Sequence, residues 1–288
     1  MKRSTVLIED IGWAEGPRWR DGLLYFSDIY GDRTVQTVDE DGTRTVIIQV
    51  PPHPSGLGWL PGGDLLVVSM DDKKLLRIGP DGTSAVHADL SAHAVAVNDM
   101  FVLPDGTAYV GDNGFRYGEE APEPGRILRV APDGDVRVVA EGLALPNGLV
   151  ATSDSSVLVV AETLGGRLRR FAIGEDGRLG EGEVFLASDE LSRSDDVSVF
   201  FDLAVFVTRP FAPDGLAMDP HDRVWAGNPF STTIRCYDLD GQVVEEVELT
   251  QGGVAPAVAD DGATLFVATG DPAQTFTGRT SRVEIARL

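Results

Sequence analysis

The sequence is poor in the features that define several common classes of protein. Its one cysteine, Cys236, cannot form an internal disulfide bond. Basic residues are scarce, because 24 Lys and Arg stand against 46 Asp and Glu, and the net charge is −22. Such a charge repels phosphate backbones and anionic membrane surfaces. We therefore expect neither a nucleic acid nor a membrane as a partner.

Long apolar runs are also lacking. The longest stretch, from Val197 to Val207, is interrupted by Asp202 and is shorter than the roughly 20 residues that a membrane helix needs. The first ten residues, MKRSTVLIED, lack the apolar core of a signal peptide. These features predict a soluble cytoplasmic protein. A small-molecule substrate is expected only from the reaction that the motifs described next indicate, and the oligomeric state stays open.

What the sequence does contain is one motif repeated six times. Each copy has a small turn, an apolar run, a tight polar turn and a β-branched run that ends in small or acidic residues. Turns such as Asp21-Gly22, Gly62-Gly63 and Asp105-Gly106 between the two runs are typical of β-hairpins. The copies begin at Ala14, Pro54, Val97, Pro146, Pro213 and Ala255, at steps of 40, 43, 49, 67 and 42 residues.

Most copies continue with a third apolar run and another Asp-Gly turn, which indicates about four strands per copy. Units of about 40 to 50 residues with four short strands are typical of propeller blades. The sequence therefore predicts an all-β fold, with residues 1–288 forming a single six-bladed β-propeller of four-stranded antiparallel blades around a central channel. A two-sheet sandwich would also be rich in turns, but it gives no reason for six copies of one motif.

The step of 67 residues indicates an insertion in the fourth copy, at about residues 189–210. Its core, VSVFFDLAVFV, is too apolar for a free loop. One interpretation is an extra strand that packs against the blade, and the other is a hood over the channel or a subunit contact.

The first strand of every blade lines the axis of a propeller, so equivalent residues of the six copies should converge. Two carboxylates that converge in a narrow channel repel each other unless one is protonated or a cation lies between them. Oxygen ligands suit Ca²⁺, Mg²⁺ or Mn²⁺, and we expect Ca²⁺ first, although an open site could also accept Zn²⁺. Asn or Asp before Gly is also a common turn former, but Glu15 has no such preference. The equivalent positions are Glu15, Ser55, Asn98, Asn147, Asp214 and Pro256.

The sequence resembles the regucalcin and gluconolactonase propellers, also called the senescence marker protein family. The resemblance rests on AEGPRW at Ala14, VNDMFVLPDGTAYVGD at Val97, LPNGLV at Leu145 and PDGLAMD at Pro213. It implies a divalent metal ion bound by Glu15, Asn147 and Asp214, with Asn98 close to the metal and in contact with substrate or water. Sugar-lactonase members carry an arginine where this sequence has Ala96, which puts specificity for sugar lactones in doubt.

The predicted reaction is metal-dependent hydrolysis of a lactone or related ester. The metal would polarise the carbonyl group, and Asp214 would be the general base that accepts a proton from the attacking water. Direct attack by a carboxylate stays open, as do a ligand-only role for Asp214, a phosphotriesterase-like reaction and a noncatalytic, metal-stabilised binding protein.

Specificity should come from loops on the metal side of the propeller. The predicted substrate-binding residues are Asn98, Asp112, Asn113, Phe115 and Tyr117. Further candidates are Trp13, Glu162 and Phe230.

Overall fold

The structure is a computed structural model that describes residues 1–116, 118–202, 209–274 and 278–288. The secondary structure of these residues is almost entirely β. None of the helices in these ranges has the length and hydropathy to cross a membrane. The strands are β1 (Lys2–Arg3), β2 (Thr5–Ile11), β3 (Ala14–Arg20), β4 (Leu23–Asp28), β5 (Thr34–Val38), β6 (Arg44–Gln49), β7 (Pro54–Trp59), β8 (Leu65–Ser69), β9 (Lys74–Ile78), β10 (Ser84–Asp89), β11 (Val97–Val102), β12 (Ala108–Asp112), β13 (Gly125–Val130), β14 (Val136–Leu143), β15 (Pro146–Ala151), β16 (Val157–Glu162), β17 (Arg167–Ala172), β18 (Glu183–Ala187), β19 (Leu216–Met218), β20 (Val224–Ala226), β21 (Thr233–Tyr237), β22 (Val243–Glu248), β23 (Gly252–Val258), β24 (Thr264–Gly270) and β25 (Ser281–Arg287).

The strands form six sheets, antiparallel apart from one short edge strand, which are the blades of a six-bladed β-propeller. Four sheets each take four consecutive strands: β3 to β6, β7 to β10, β11 to β14 and β15 to β18. The fifth contains β19 to β22 and a short parallel strand, β1, at its edge. The sixth joins β2 to β25, β24 and β23, so both ends of the chain contribute to one sheet. The predicted fold class is confirmed.

The chain divides into two compact units, one of residues 1–57 and 214–288 and the other of residues 58–213. In the second unit, Leu66 and Leu75 of one sheet pack with Met100 and Leu128 of the next. In the first unit, Trp225 of β20 packs in the same way in a cluster that includes residues of β24. The core of each unit therefore lies between the faces of neighbouring sheets, which explains why the strands are rich in buried aliphatic residues.

The predicted hairpin turns are present, although they differ in length. Arg20 pairs with Leu23 across Asp21-Gly22, and both turn residues have positive φ, at 52° and 79°. This is the two-residue loop that favours Asp-Gly. The turns at Gly63 and Gly106 are longer and are closed by backbone hydrogen bonds to the carbonyl oxygens of Leu60 and Leu103.

The structure does not support the first of the two interpretations of the insertion, an extra strand packed against the blade. Between β18 and β19 the described residues contain two 3-10 turns, Leu191–Arg193 and Val197–Phe200, and no strand. The extra strand is therefore not found there, although residues 203–208 of the predicted range lie outside the described residues. Phe200 is buried, and the Arg167 guanidinium stacks on its ring at 4.8 Å.

Candidate active site

Two predicted site residues of the second unit lie in β-bulges at equivalent places. The pairing of β11 with β12 shifts directly after Val97, which leaves Asn98 in the bulge. The pairing of β15 with β16 shifts directly after Pro146, which leaves Asn147 in the bulge. A bulge redirects side chains that a regular strand would turn into the core. The bulges therefore explain how polar residues occur inside apolar strands.

The structure brings these two residues together. Asn98 Nδ2 donates a hydrogen bond to Asn147 Oδ1 at 3.2 Å. Asn147 is 8% exposed, so its amide is almost fully removed from water. Because Asn98 contributes the donor, the oxygen of the Asn147 amide is directed toward Asn98.

The two predicted carboxylate ligands lie in the first unit. Glu15 is in β3, directly before the bulge in its pairing with β4. Asp214 precedes β19, and its backbone N–H donates to the carbonyl oxygen of Gly227 at 3.0 Å. The two residues are 8% and 7% exposed. Buried carboxylates must be compensated by hydrogen bonds or cations, so neither side chain is an ordinary surface acid.

One predicted equivalence is wrong. In the sixth sheet the pairing shifts between Gly253 and Ala255, whereas Pro256 pairs regularly with Val267. The predicted position was therefore two residues beyond the bulge. The cause is that this strand begins at Gly252, earlier in its repeat than β3, β11 or β15 begin in theirs.

The chemistry of the predicted donors fits a hard divalent cation. Glu15 and Asp214 have carboxylate oxygens, and Asn147 has an amide oxygen, which are the ligand types that Ca²⁺ prefers. The described residues contain no group of three or more His, Cys, Asp or Glu side chains suited to a metal ion. The predicted set does not fall under this description, because it consists of two carboxylates and one amide.

The predicted substrate residue Asp112 has structural contacts. Its side chain is fully buried, and Oδ1 accepts hydrogen bonds from the backbone N–H groups of Val95 and Ala96 at 2.9 and 2.7 Å. Oδ2 lies 3.2 Å from Nε of Arg126. These contacts hold the loop before β11 and give Asp112 a structural role.

The same arrangement occurs at the ends of two other second strands. Asp28 accepts backbone hydrogen bonds from Gly12, Trp13 and Gly31, and Glu162 accepts one from Ala144 at 2.7 Å. The acidic residue that ends the second run of a repeat therefore fixes the connection that leads into its blade. The acidic ending is visible in the sequence, but its hydrogen bonds to the preceding connection are seen only in the structure.

Phe115 is placed in the apolar core. It is 3% exposed and packs in a cluster with Ala144, Leu145, Leu164 and Phe200. The cluster includes part of the insertion, so Phe115 helps to anchor that segment. This packing explains why the Phe115 ring is buried without invoking contact with a substrate.

The remaining candidates differ in their surroundings. Asn113 is 8% exposed, and its Oδ1 is buried without a hydrogen-bond partner among the described residues. Phe230 is 58% exposed. Trp13, expected in a loop, is 6% exposed and donates its indole N–H to Glu15 Oε1 at 3.1 Å. Tyr117 lies outside the described residues.

The fold and these residues define the protein as a β-propeller with buried oxygen donors in or just before the first strands of four of its blades. Residues 13–271 match the SMP-30/Gluconolactonase/LRE-like region family. The chain therefore belongs to this family, and the predicted resemblance is confirmed.

Individual relatives support the assignment. The chain is 26% identical to a pentonolactonase of Haloferax volcanii over 79% of this chain and 70% of the relative. It is 24% identical to a 6-deoxy-6-sulfogluconolactonase of Pseudomonas putida over 82% of this chain and 75% of the relative. Among solved structures, the calcium-binding protein regucalcin from Agrobacterium tumefaciens superposes with a TM-score of 0.77 at 21% identity, covering 100% of this chain and 96% of regucalcin.

Proposed function

We propose that the protein is a metal-dependent hydrolase that opens a lactone. The observation that carries the proposal is the family match over residues 13–271, a range that includes Glu15, Asn98, Asn147 and Asp214. The two relatives described above are lactonases by name, which supports a lactone over a phosphotriester as the substrate.

Glu15, Asn147 and Asp214 are proposed to supply the oxygen ligands of one divalent cation, with Ca²⁺ as the first choice. The burial of the three side chains supports this assignment, because a cation would compensate the buried negative charge. The description of regucalcin as calcium-binding is consistent with it. When bound, the ion would polarise the lactone carbonyl and stabilise negative charge on its oxygen.

Asp214 is proposed to accept the proton of the attacking water. A carboxylate performs this step when it is ionised and directed at the water, and burial excludes competing solvent. Asn98 is proposed to contact the substrate. Its hydrogen bond to Asn147 would hold the amide of Asn98 in one orientation and so preserve the geometry of that contact.

Specificity is proposed to involve the loop that contains Ala96 and Asn113. Ala96 is fixed through its backbone, because its N–H donates to Asp112 and its carbonyl oxygen accepts from the Asn113 N–H at 2.8 Å. A methyl side chain at this point offers no hydrogen bond to a sugar hydroxyl. We therefore propose a lactone with few hydroxyl groups as the preferred substrate.

The test is a hydrolysis screen with the full chain after metal removal and reloading with Ca²⁺, Mn²⁺ or Zn²⁺. The substrates are sugar lactones, aliphatic lactones, aryl esters and phosphotriesters. We expect metal-dependent turnover of a lactone. Faster hydrolysis of a phosphotriester, or full activity after complete metal removal, would contradict the proposal.

A further inference from the structure

Trp13 and Glu15 form a buried pair two residues apart on one side of the β3 bulge. The indole Nε1 donates to Glu15 Oε1 at 3.1 Å, and the two residues are 6% and 8% exposed. A hydrogen bond from a neutral N–H to a buried carboxylate restricts the rotation of the carboxylate without neutralising its charge. Glu15 is therefore oriented by a group that leaves it able to bind a cation.

Trp13 is itself held on both sides of its backbone. Its N–H donates to Asp28 Oδ1 at 3.3 Å, and its carbonyl oxygen accepts from the Ile29 N–H at 2.9 Å. The position of the indole is thus set by the turn that follows β4.

A glycine makes room for the ring. A Cβ atom built on Gly270 would lie 2.6 Å from Cζ3 of Trp13, which is too close for any real contact. The end of β24 therefore packs directly on the indole, and a side chain at this position would move the ring.

We propose that Trp13 is a positioning residue that holds Glu15 in the orientation needed for metal binding, and that its indole reports the bound ion by fluorescence. This inference rests on the proposed function, because it requires Glu15 to be a ligand. Partners that orient metal ligands contribute to affinity, and their loss typically weakens metal binding by about 10-fold to 100-fold.

The test compares Trp13→Phe with Trp19→Phe in the full chain. Trp13→Phe keeps an aromatic ring against Gly270 but removes the donor. Trp19→Phe is a matched control six residues further along the chain, in β3, where Trp19 stacks on Phe266 at 4.9 Å between ring centroids. Metal affinity is measured by calorimetric titration with Ca²⁺ and Mn²⁺, and the fluorescence of the four tryptophans is followed during the same titration.

We expect Trp13→Phe to weaken metal binding by about 10-fold or more and to abolish most of the metal-dependent fluorescence change. Trp19→Phe should retain both the metal affinity and the metal-dependent fluorescence change. In a Glu15→Gln background, Trp13→Phe should cause little further loss, because the indole acts through the carboxylate. If Trp13 acted only in folding, the effects of Trp13→Phe and Glu15→Gln on metal affinity would be independent and would add in the double variant.

Gly270→Ala provides a second variant if Trp13→Phe folds poorly. It retains the indole but displaces it, so it should also weaken metal binding. Metal affinity and fluorescence response equal to those of the unmodified protein in both variants would overturn the inference while leaving the metal site intact. Failure of the unmodified protein to bind any divalent ion would overturn the proposed metal site and this inference together.

Discussion

The guanidinium of Arg167 forms a two-pronged ion pair with Glu162 in which both side chains are fully buried. Nε and Nη2 donate to the two carboxylate oxygens, each at 3.0 Å. Nη1 donates to the carbonyl oxygens of Ser192 and Ser194 at 3.2 and 2.7 Å. One arginine therefore joins the end of β16 to the insertion.

We expect Arg167→Met to lower the free energy of unfolding by about 3–5 kcal/mol, because it leaves a buried carboxylate and two carbonyl groups without their donor. Urea denaturation measures the change. Arg169→Met is the control, since Arg169 lies 3.5 Å from Glu162 and its Nε makes no hydrogen bond among the described residues. Equal losses in both variants would show that the paired geometry has no special importance.

Asp112→Ala distinguishes the structural role of this residue from the predicted substrate contact. The substitution leaves the N–H groups of Val95 and Ala96 without their acceptor, so we expect a loss of about 2–4 kcal/mol in unfolding free energy. The KM of the folded protein should change little. Asp133→Ala, at an exposed turn, should alter stability by less than about 0.5 kcal/mol. A stable Asp112→Ala protein with a strongly raised KM would instead favour substrate binding.

Cys236 should be unreactive in the folded protein. Burial, followed by the effect of the nearby Asp219 carboxylate, raises the pKa of the Cys236 thiol to about 12. The thiolate is the reactive form, and at pH 8 the thiol stays protonated because the pH lies far below this pKa. We expect no labelling by Ellman's reagent at pH 8 in the native state and one thiol per chain in guanidinium chloride. Rapid labelling of the native protein would show that the thiol is accessible.

Substrate preference should follow from Ala96. Loss of hydrogen bonds to sugar hydroxyls is worth about 1–3 kcal/mol, so kcat/KM for gluconolactone should be about 10-fold to 100-fold below that for a less hydroxylated lactone. Ala96→Arg should raise kcat/KM for gluconolactone relative to kcat/KM for the less hydroxylated lactone. A clear preference of the unmodified protein for gluconolactone would mean that another residue binds the hydroxyl groups.

Asp214→Asn and Glu15→Gln should separate the proposed base from a residue that acts as a ligand alone. Asp214→Asn retains an oxygen ligand but removes the base, so kcat should fall by about 100-fold or more at full metal occupancy. Glu15→Gln lowers the charge that binds the ion, so excess metal should restore part of its activity. Occupancy must be measured in both variants. A nearly normal kcat in metal-loaded Asp214→Asn would leave Asp214 as a ligand alone.

The number of blades and the places where most of them begin could be predicted from the sequence alone. Four first strands start at the predicted residues, Ala14, Pro54, Val97 and Pro146. Hairpin turns and short apolar runs are local signals, so they can be read without knowledge of distant contacts. The family resemblance was equally accessible, because its motifs are short and contiguous.

The surroundings of individual side chains could not be predicted in the same way, because they depend on the complete fold. The packing of Phe115 with Phe200 and the ion pair of Arg167 with Glu162 depend on how the connections and the insertion fold back onto the blades. The orientation of Glu15 by Trp13 depends on a turn after β4 and on a glycine at the end of β24. Burial and hydrogen-bond partners come from residues far apart in the chain, and for that reason a local pattern could identify these residues but could not distinguish structural from functional roles.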